Sequence, residues 1–515
     1  MNERGKPVVA TKSGKVEGSF ENGLYIFKGI PFATPPVGAL RWMPPQPVKK
    51  WNGVRPAKEY GAISPQNPLP LATPGSPSFE QFAQDEDCLF LNIWTPGLDD
   101  TRRPVMVWIH GGVFIIGSGA EAFLDNSSLV RRGDIVLVSI NYRLGAFGFM
   151  NLKEITGGKI PATGNEGLLD QLAALDWVRD NIAAFGGNPD NITAAGFSAG
   201  AMSIGTLLGM PRARGKFHKA MNRSGAANVV SPLEMAVRIS GMYAGVFNLK
   251  GKDADSLRKL TTKQLLEGQQ ELGNRLREAE YRATPFHPVV DGAVLPEWPV
   301  KAIRKGSAKN VIVMAGNTID EMRAMSAMDP AVRNLDEAGL FKRLNSMVPG
   351  DLIPGLISCY RDSLKKRGSK ADPVDIWGTI NAEMMWRIPT IRLVEAQRDA
   401  GMPVFNYLFT YKSPAMGGIL GALHGLDNPF LFGCLDKDFS GAGPEQENMA
   451  TKIQDSTVAF MRTGDPSCKT IGKWPVYGKD RMVMVLDRNC RVESAPYEEE
   501  RQAWDKFDML YTPPL

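Results

Sequence analysis

The chain has 515 residues, of which 43% are hydrophobic and 22% are charged. That length and apolar content are enough for a large buried core. The formal net charge is only +5, and the densest basic run, residues 365–367, has no aromatic residues interleaved with it. These features argue against a nucleic-acid partner. No apolar run is long enough for a membrane span, and the first residues lack the apolar core of a signal peptide.

Cysteine usage predicts the compartment. The five cysteines form no C-x-x-C pair and are widely separated, at Cys88, Cys359, Cys434, Cys468 and Cys490. We therefore expect mostly reduced thiols, no metal or redox motif, and a cytoplasmic protein. Secretion remains the alternative if a signal peptide was removed ahead of this numbering. Oligomeric state stays open between monomer and dimer.

Short apolar runs predict a parallel sheet. Residues 105–109 and 135–140 are continuously apolar, which is typical of strands buried on both faces. Apolar residues then recur at helical spacing over 166–182, and a further short strand precedes Ser198. Strand, helix, strand in this order is a crossover unit of a parallel sheet. Later strands are predicted at 310–315, 404–409 and 482–486.

The segment 196–200 reads Gly-Phe-Ser-Ala-Gly. A strand that turns sharply into a helix at such a segment leaves the central hydroxyl exposed at the bend. The apolar run at 201–208 supplies the helix. We interpret Ser198 as a candidate nucleophile.

The strand at 105–109 runs directly into His110-Gly111-Gly112-Val113-Phe114. Backbone N–H groups of such a turn are suited to hold the oxygen of a bound carbonyl, so we predict an oxyanion loop here. We interpret His110 as a brace for this loop and not as a catalytic group.

A serine nucleophile needs a base, and the chain has four histidines. We interpret His218 and His287 as packing or surface residues. His424 lies among small residues in a loop after the strand at 404–409, and we predict that it is the general base.

The carboxylate that orients the base is harder to assign from the sequence than the base itself. Asp320 and Glu321 both follow the strand at 310–315, and Asp427 lies close to His424 in sequence. The order serine, acid, histidine is typical of hydrolases with this elbow. Local chemistry leaves the three carboxylates as alternatives.

Nearly the whole chain resembles the type B carboxylesterases, the family of cholinesterases and bacterial para-nitrobenzyl esterases. The resemblance implies an α/β-hydrolase fold, with a large, mostly parallel central sheet flanked by helices. It implies one domain over 1–515, an N-terminal extension of about 1–100, and helical insertions at about 230–285 and 325–400. The motifs that carry it lie at 27–33, 35–38, 40–42, 86–93, 141–145, 164–168, 185–200, 291–292 and 462–466.

The resemblance also assigns roles. It implies a serine carboxylesterase that hydrolyses small-molecule carboxylic esters through an acyl-enzyme, with no cofactor and no metal. A carbamate or amide hydrolase with the same triad is the alternative. A non-enzymatic cholinesterase-like binding module is disfavoured because Ser198 is retained. The implied triad is Ser198, Glu321 and His424; the implied oxyanion donors are Gly112, Val113 and Ala199 with support from Gly111; Ser203 and Asp427 are implied as supporting residues.

Four positions depart from the family pattern. Ser64 replaces the usual cysteine partner of Cys88, so we expect Cys88 to be a free thiol. Phe197 replaces a frequent Glu, which predicts a drier elbow. Val113 replaces Gly or Ala, and its branched side chain predicts poor hydrolysis of bulky tertiary-alcohol esters. Met322 replaces the Gly that usually follows the acid.

Apolar side chains lie beside the catalytic loops in the sequence. Phe114, Phe197 and Met202 are candidates for a substrate pocket that accepts aryl or medium acyl groups. The alternative, that they are ordinary core residues, is equally open.

Overall fold

A computed structural model describes residues 6–68, 79–125, 128–249, 253–278 and 284–507. Residues 1–5 and 69–78 of the predicted N-terminal extension lie outside the described residues, as do 250–252 and 279–283 of the first predicted insertion.

The strands of the described residues follow one another from the N-terminal extension to the end of the chain. They are β1 Val8–Thr11, β2 Gly14–Glu17, β3 Ser19–Glu21, β4 Leu24–Pro31, β5 Val54–Pro56, β6 Phe90–Thr95, β7 Arg103–Ile109, β8 Val136–Ile140, β9 Gly187–Phe197, β10 Lys219–Arg223, β11 Ser231–Pro232, β12 Val289–Val290, β13 Ile312–Thr318, β14 Val404–Phe409, β15 Met482–Leu486 and β16 Arg491–Ser494.

Helices connect most of these strands. They are α1 Ala122–Asp125, α2 Ser128–Gly133, α3 Gly145–Gly148, α4 Glu166–Asn181, α5 Ala199–Gly209, α6 Leu233–Val246, α7 Ala254–Lys259, α8 Thr262–Glu278, α9 Pro299–Arg304, α10 Arg323–Met328, α11 Pro330–Arg333, α12 Glu337–Asn345, α13 Ile353–Lys366, α14 Pro373–Ala382, α15 Ile388–Asp399, α16 Asn428–Phe432, α17 Pro444–Thr463 and α18 Glu498–Ala503. A π-helical turn, Glu383–Arg387, joins α14 to α15. None of the described helices has the length and apolar character needed to cross a membrane.

The central sheet has eleven strands in the order β16-β15-β14-β13-β10-β9-β7-β8-β6-β4-β3. The strands from β15 through β8 pair in parallel, and antiparallel strands complete both edges. The sheet is therefore the large, mostly parallel sheet that the sequence predicted. Because parallel neighbours end at the same edge, the loops after β7, β9, β10 and β13 lie together.

Both faces of the sheet are buried. In β7, Val105, Val107 and Ile109 belong to one hydrophobic cluster, whereas Met106 and Trp108 belong to a second cluster. This alternation is what a strand covered on both sides requires. A third cluster lies among helices α11 to α15 and includes Trp504.

The predicted elements are confirmed with shifted boundaries. The strand predicted at 310–315 runs over Ile312–Thr318, because its pairing with β14 continues to the pair Thr318 and Phe409. The strand before Ser198 begins at Gly187, because Gly187 pairs with Arg103 of β7. The helix predicted over 166–182 is Glu166–Asn181.

Candidate active site

Ser198 lies at the bend between β9 and α5. Its backbone has φ +54° and ψ −125°, a conformation that non-glycine residues seldom adopt. The N–H of Ser198 donates to the carbonyl of Arg223 at 3.0 Å, which holds the bend against the adjacent strand β10. Ser198 is 7% exposed. The bend therefore has the strained strand-to-helix geometry of a nucleophile elbow.

Glu321 lies in the turn after β13 and is buried. One of its carboxylate oxygens accepts from the N–H of Thr318 at 2.8 Å and from the hydroxyl of Ser224 at 2.6 Å. The other oxygen contacts Nδ1 of His424. These contacts fix the carboxylate with one oxygen directed at the imidazole.

Asp320, the neighbouring carboxylate, is directed elsewhere. Its Oδ2 accepts from the N–H of Ala422 at 2.9 Å, and Arg323 lies 3.6 Å from its other oxygen. The structure thereby distinguishes the two carboxylates that the local sequence left equivalent: Asp320 braces the loop, and Glu321 contacts the histidine.

His424 lies in the loop after β14 with its side chain 23% exposed. The contact of Nδ1 with Glu321 favours the tautomer that carries its proton on Nδ1, which leaves Nε2 free to accept a proton. The ring of Phe197, the residue before Ser198, lies 4.5 Å from the imidazole between centroids. The histidine is therefore beside the elbow.

The loop after β7 also reaches the elbow. A Cβ placed on Gly111 would lie 3.0 Å from the Cβ of Ser198, so a larger residue here would have to push the loop and the elbow apart. The carbonyl of Gly112 accepts from the N–H groups of Ile115 and Ile116, both at 3.0 Å. Val113 has φ +54°, which is strained for a β-branched residue. These contacts and this strain hold the loop in one conformation.

Backbone donors gather in this region. Within the described ranges, the N–H groups of Gly112 and Val113 have no recorded protein acceptor. The N–H of Ala199 lies in the first turn of α5, where helices have no acceptor of their own. Such groups are available to an anionic oxygen.

His110 has the geometry of a brace. Its ring stacks on Tyr142 at 4.4 Å and 17°, and the Tyr142 hydroxyl donates to the carbonyl of His110 at 3.0 Å. Burial lowers the pKa of His110 to about 4, so the ring is neutral near pH 7. This agrees with its interpretation as a support for the loop.

The two remaining histidines lie in other contacts. Nδ1 of His218 accepts from the N–H of Ile192 at 3.1 Å. Nε2 of His287 lies 2.7 Å from the Ser231 hydroxyl, and burial lowers the pKa of His287 to about 4. The structure places neither ring against Glu321.

His287 should make stability depend on pH. Its folded-state pKa is lower than its unfolded value of 6.5, so the unfolded chain binds the proton first and stability falls as pH drops from about 6.5 toward 4. Between pH 7 and 5 we expect wild type to lose about 2 kcal/mol more than His287→Gln. Urea unfolding of both proteins at the two pH values measures the difference. Equal pH dependence in the two would contradict the prediction.

Asp427 belongs to a buried ion pair, not to the histidine. Arg223 Nη2 lies 2.7 Å from Oδ2 of Asp427, and the Tyr407 hydroxyl donates to the same oxygen at 3.1 Å. The backbone carbonyl of Arg223 also accepts a hydrogen bond from the N–H of Ser198. The pair therefore joins the serine elbow to the segment that follows His424.

Breaking this pair should destabilise the fold. Asp427→Asn leaves the Arg223 guanidinium buried without its counter-charge, and we expect a loss of about 3–5 kcal/mol in the free energy of unfolding. Denaturant unfolding measures it. The double variant Arg223→Met with Asp427→Leu removes both charges, and we expect it to recover part of the loss; a double variant less stable than Asp427→Asn would contradict this account.

The other predicted supporting and pocket residues lie in packed positions. The hydroxyl of Ser203 accepts from Gln171 Nε2 at 3.0 Å, in the interior of α5. Phe114 is buried in the core with its ring 5.0 Å from Phe149. Met202 is buried in α5. The third predicted pocket residue, Phe197, lies at the site, with its ring against His424.

Sequence reasoning missed two residues of this site. Ser224 contacts Glu321, but β10 reads Lys-Ala-Met-Asn-Arg and lacks the apolar run that would have predicted a strand ending there. Trp386 lies 4.4 Å from the His424 imidazole between centroids, and it comes from the π-helical turn between α14 and α15. No local signal marks it.

All five cysteines are free thiols. Cys88 is buried beside Ser64, and burial raises the pKa of its thiol. The expectation that Cys88 is a free thiol is confirmed.

Comparison with known proteins supports the resemblance. The sequence model of the Carboxylesterase family matches residues 5–504. The para-nitrobenzyl esterase of Bacillus subtilis (strain 168) is 36% identical over 501 residues, covering 96% of this chain and 98% of that protein. The phenmedipham hydrolase of Pseudarthrobacter oxydans is 35% identical over 508 residues, covering 95% and 96%.

The fold agrees with these relatives. The crystal structure at pH 6.2 of a carboxylesterase from Geobacillus stearothermophilus superposes with a TM-score of 0.85 at 36% identity, covering 97% of this chain and 100% of that one. The family model and the superposed structure each cover nearly the whole chain. This chain therefore belongs to the carboxylesterase family, and it is a carboxylic ester hydrolase with the α/β-hydrolase fold.

Proposed function

We propose that the chain hydrolyses esters with Ser198 as nucleophile, His424 as general base and Glu321 as the acid that orients it. The contact between Glu321 and Nδ1 of His424, beside the strained elbow of Ser198, carries the proposal. A serine hydroxyl is a weak nucleophile near neutral pH unless a neighbouring base accepts its proton. The three residues supply that arrangement in the order serine, acid, histidine.

The reaction proceeds in two halves. The Ser198 hydroxyl attacks the ester carbon while Nε2 of His424 accepts its proton, and Glu321 stabilises the imidazolium. The imidazolium then donates that proton to the departing alkoxide, which leaves as the alcohol. Water attacks the acyl-enzyme with the same base, and the acid product is released with Ser198 restored.

The developing negative charge on the carbonyl oxygen needs donors. We assign these to the backbone N–H groups of Gly112, Val113 and Ala199, with Gly111 allowing the loop to approach Ser198. Loss of one such donor in a serine hydrolase costs roughly 3–4 kcal/mol of transition-state stabilisation. Because these donors belong to the backbone, the conformation of the loop sets their positions.

Covalent labelling tests the proposal directly. Phenylmethanesulfonyl fluoride reacts with an activated serine, and we expect one adduct on the peptide that contains Ser198, with loss of ester hydrolysis in proportion to labelling. Intact mass and peptide mass spectrometry give the stoichiometry and position. Inactivation with the label on another residue, or full activity after stoichiometric labelling at Ser198, would overturn the assignment.

Val113 provides a prediction about the alcohol group. Val113 is 36% exposed, and its side chain branches beside the proposed oxyanion donors. We expect tert-butyl acetate to be hydrolysed far more slowly than n-butyl acetate. Val113→Gly also suits the positive φ. This variant should raise the kcat/KM for tert-butyl acetate, relative to that for n-butyl acetate, about tenfold. An unchanged ratio would show that the side chain does not face the alcohol group.

Amides and carbamates share the chemistry of the proposed triad, so matched ester, amide and carbamate substrates decide the preference. Phenmedipham belongs in this panel, because one relative is named phenmedipham hydrolase. We expect the ester to have the highest kcat/KM. An alkoxide is a better leaving group than the anion of an amine, so its departure depends less on protonation. A higher value for the amide or carbamate would reassign the reaction.

We infer one catalytic domain over 1–515 that functions in a reducing, cytoplasmic compartment. The continuous central sheet from β3 to β16 supports a single domain. The five free cysteines, with Cys88 buried and unpaired, support a reducing compartment.

A further inference from the structure

His424 contacts two aromatic rings. The Phe197 ring centroid lies 4.5 Å from the imidazole with the planes at 38°, and the Trp386 centroid lies 4.4 Å away, also at 38°. These distances are at the short end of the range for aromatic pairs. Phe197 comes from the end of β9 and Trp386 from the π-helical turn, so two separate elements bring their rings to one imidazole.

The Phe197 ring is held by the chain around it. Its backbone pairs with Arg223 of β10. A Cβ on Gly425, the residue after His424, would lie 2.8 Å from Cζ of Phe197, and Gly425 has φ +81°. The backbone of the histidine loop therefore packs directly on the ring, and glycine is what permits it.

The π-helical turn that carries Trp386 contains a buried ion pair. Arg387, the next residue, donates from Nε to both carboxylate oxygens of Glu383 at 2.6 and 2.7 Å, and both side chains are buried. Arg387 also donates to the carbonyl of Pro496 at 3.2 Å. Trp386 itself is 7% exposed. π-Helical turns of this kind are frequent at functional sites, where they direct a side chain that a regular helix would point elsewhere.

Three carboxylates lie at the imidazole or on the segments that carry it and Trp386, and each is held by a named partner. Glu321 is the anion in contact with it. Asp427 is paired with Arg223, and Glu383 with Arg387. The rings of Phe197 and Trp386 carry no net charge. An aromatic face nevertheless carries partial negative charge, and this attracts a cation.

We propose that Phe197 and Trp386 form an aromatic clamp on His424, which stabilises the imidazolium that forms when Nε2 takes the proton of Ser198. The clamp acts on the transition state because the imidazole is neutral before the transfer and cationic after it. Phe197 and Trp386 are positioning residues in this scheme, since neither reacts. The clamp rests on the proposed function of Ser198, Glu321 and His424.

A purely steric role makes a different prediction from an electrostatic one. Fluorine atoms withdraw electron density from the ring face and weaken its attraction for a cation, yet they change the shape of the ring little. We would replace Phe197 by mono-, di- and trifluorophenylalanine using stop-codon suppression. The same series at Phe341, which is exposed in α12, is the matched control.

With the clamp, kcat/KM for an ester falls stepwise along the Phe197 series, by about tenfold in total, while the Phe341 series is flat. Thermal unfolding midpoints should stay within the same narrow range in both series. A flat Phe197 series would overturn the clamp, even if Phe197→Leu is inactive, because it would leave only shape. An equal decline in the Phe341 series would overturn it as well.

Trp386 gives a second measurement. Trp386→Phe retains an aromatic face and Trp386→Leu removes it, so we expect the Leu variant to lose several-fold more kcat/KM than the Phe variant. Equal losses would contradict the clamp at this position. Ser198→Ala is assayed in parallel: residual activity there would overturn the proposed nucleophile, whereas a Ser198-dependent enzyme with a flat fluorine series would overturn the clamp alone.

Discussion

Ser198→Ala is expected to lower kcat for ester hydrolysis by about six orders of magnitude, to the rate that binding and backbone donors alone provide. No other group in the proposed reaction forms the acyl-enzyme, so removing the hydroxyl removes the covalent step. A para-nitrophenyl ester assay with enough protein to detect the residual rate measures the effect.

The same substitution should leave the fold unchanged. The Ser198 side chain makes no capping hydrogen bond to α5, and Ala is no more strained than Ser at φ +54°. We therefore expect an unfolding midpoint close to wild type. A variant that folds and retains a few per cent of wild-type turnover would show that another residue is the nucleophile. Substituting Ser203, which lies in α5 and accepts a hydrogen bond from Gln171 of α4, provides the matched control, with activity expected near wild type.

The parts of the fold that were predictable are those with local signals. The strands at 105–109, 404–409 and 482–486 are continuous apolar runs because both faces of the sheet are covered, and the structure places strands there. The elbow was predictable for a similar reason, since the strand, the turn and the helix are consecutive in sequence. Such signals need no knowledge of distant residues.

The parts that were not predictable depend on distant contacts. Ser224 and Glu321 are separated by 97 residues, and they meet because β10 and β13 are parallel neighbours. Trp386 reaches His424 through a helical insertion whose course the sequence does not indicate. Phe114 is equally open as a pocket or a core residue in the sequence, and its ring contact with Phe149 is one that no local pattern indicates. Side-chain direction within a turn, which separates Asp320 from Glu321, has no periodic signal at all.

Glu321→Gln is expected to lower kcat by about three to four orders of magnitude. The glutamine oxygen can still accept from Thr318 and Ser224, as the carboxylate does. That orientation turns the amide NH₂ toward Nδ1 of His424, which must then accept a hydrogen bond. The ring proton moves to Nε2, so the nitrogen facing the nucleophile no longer accepts a proton, and the imidazolium also loses its counter-charge.

Asp320→Asn is the matched control, one residue away in the same turn. Its side-chain oxygen accepts from the N–H of Ala422, and an amide oxygen accepts that bond equally well. We expect its kcat to stay within a few-fold of wild type. If Asp320→Asn were the crippled variant and Glu321→Gln nearly normal, the acid would be assigned to the wrong carboxylate. Comparable losses in both would indicate that the turn as a whole, and not one carboxylate, positions the histidine.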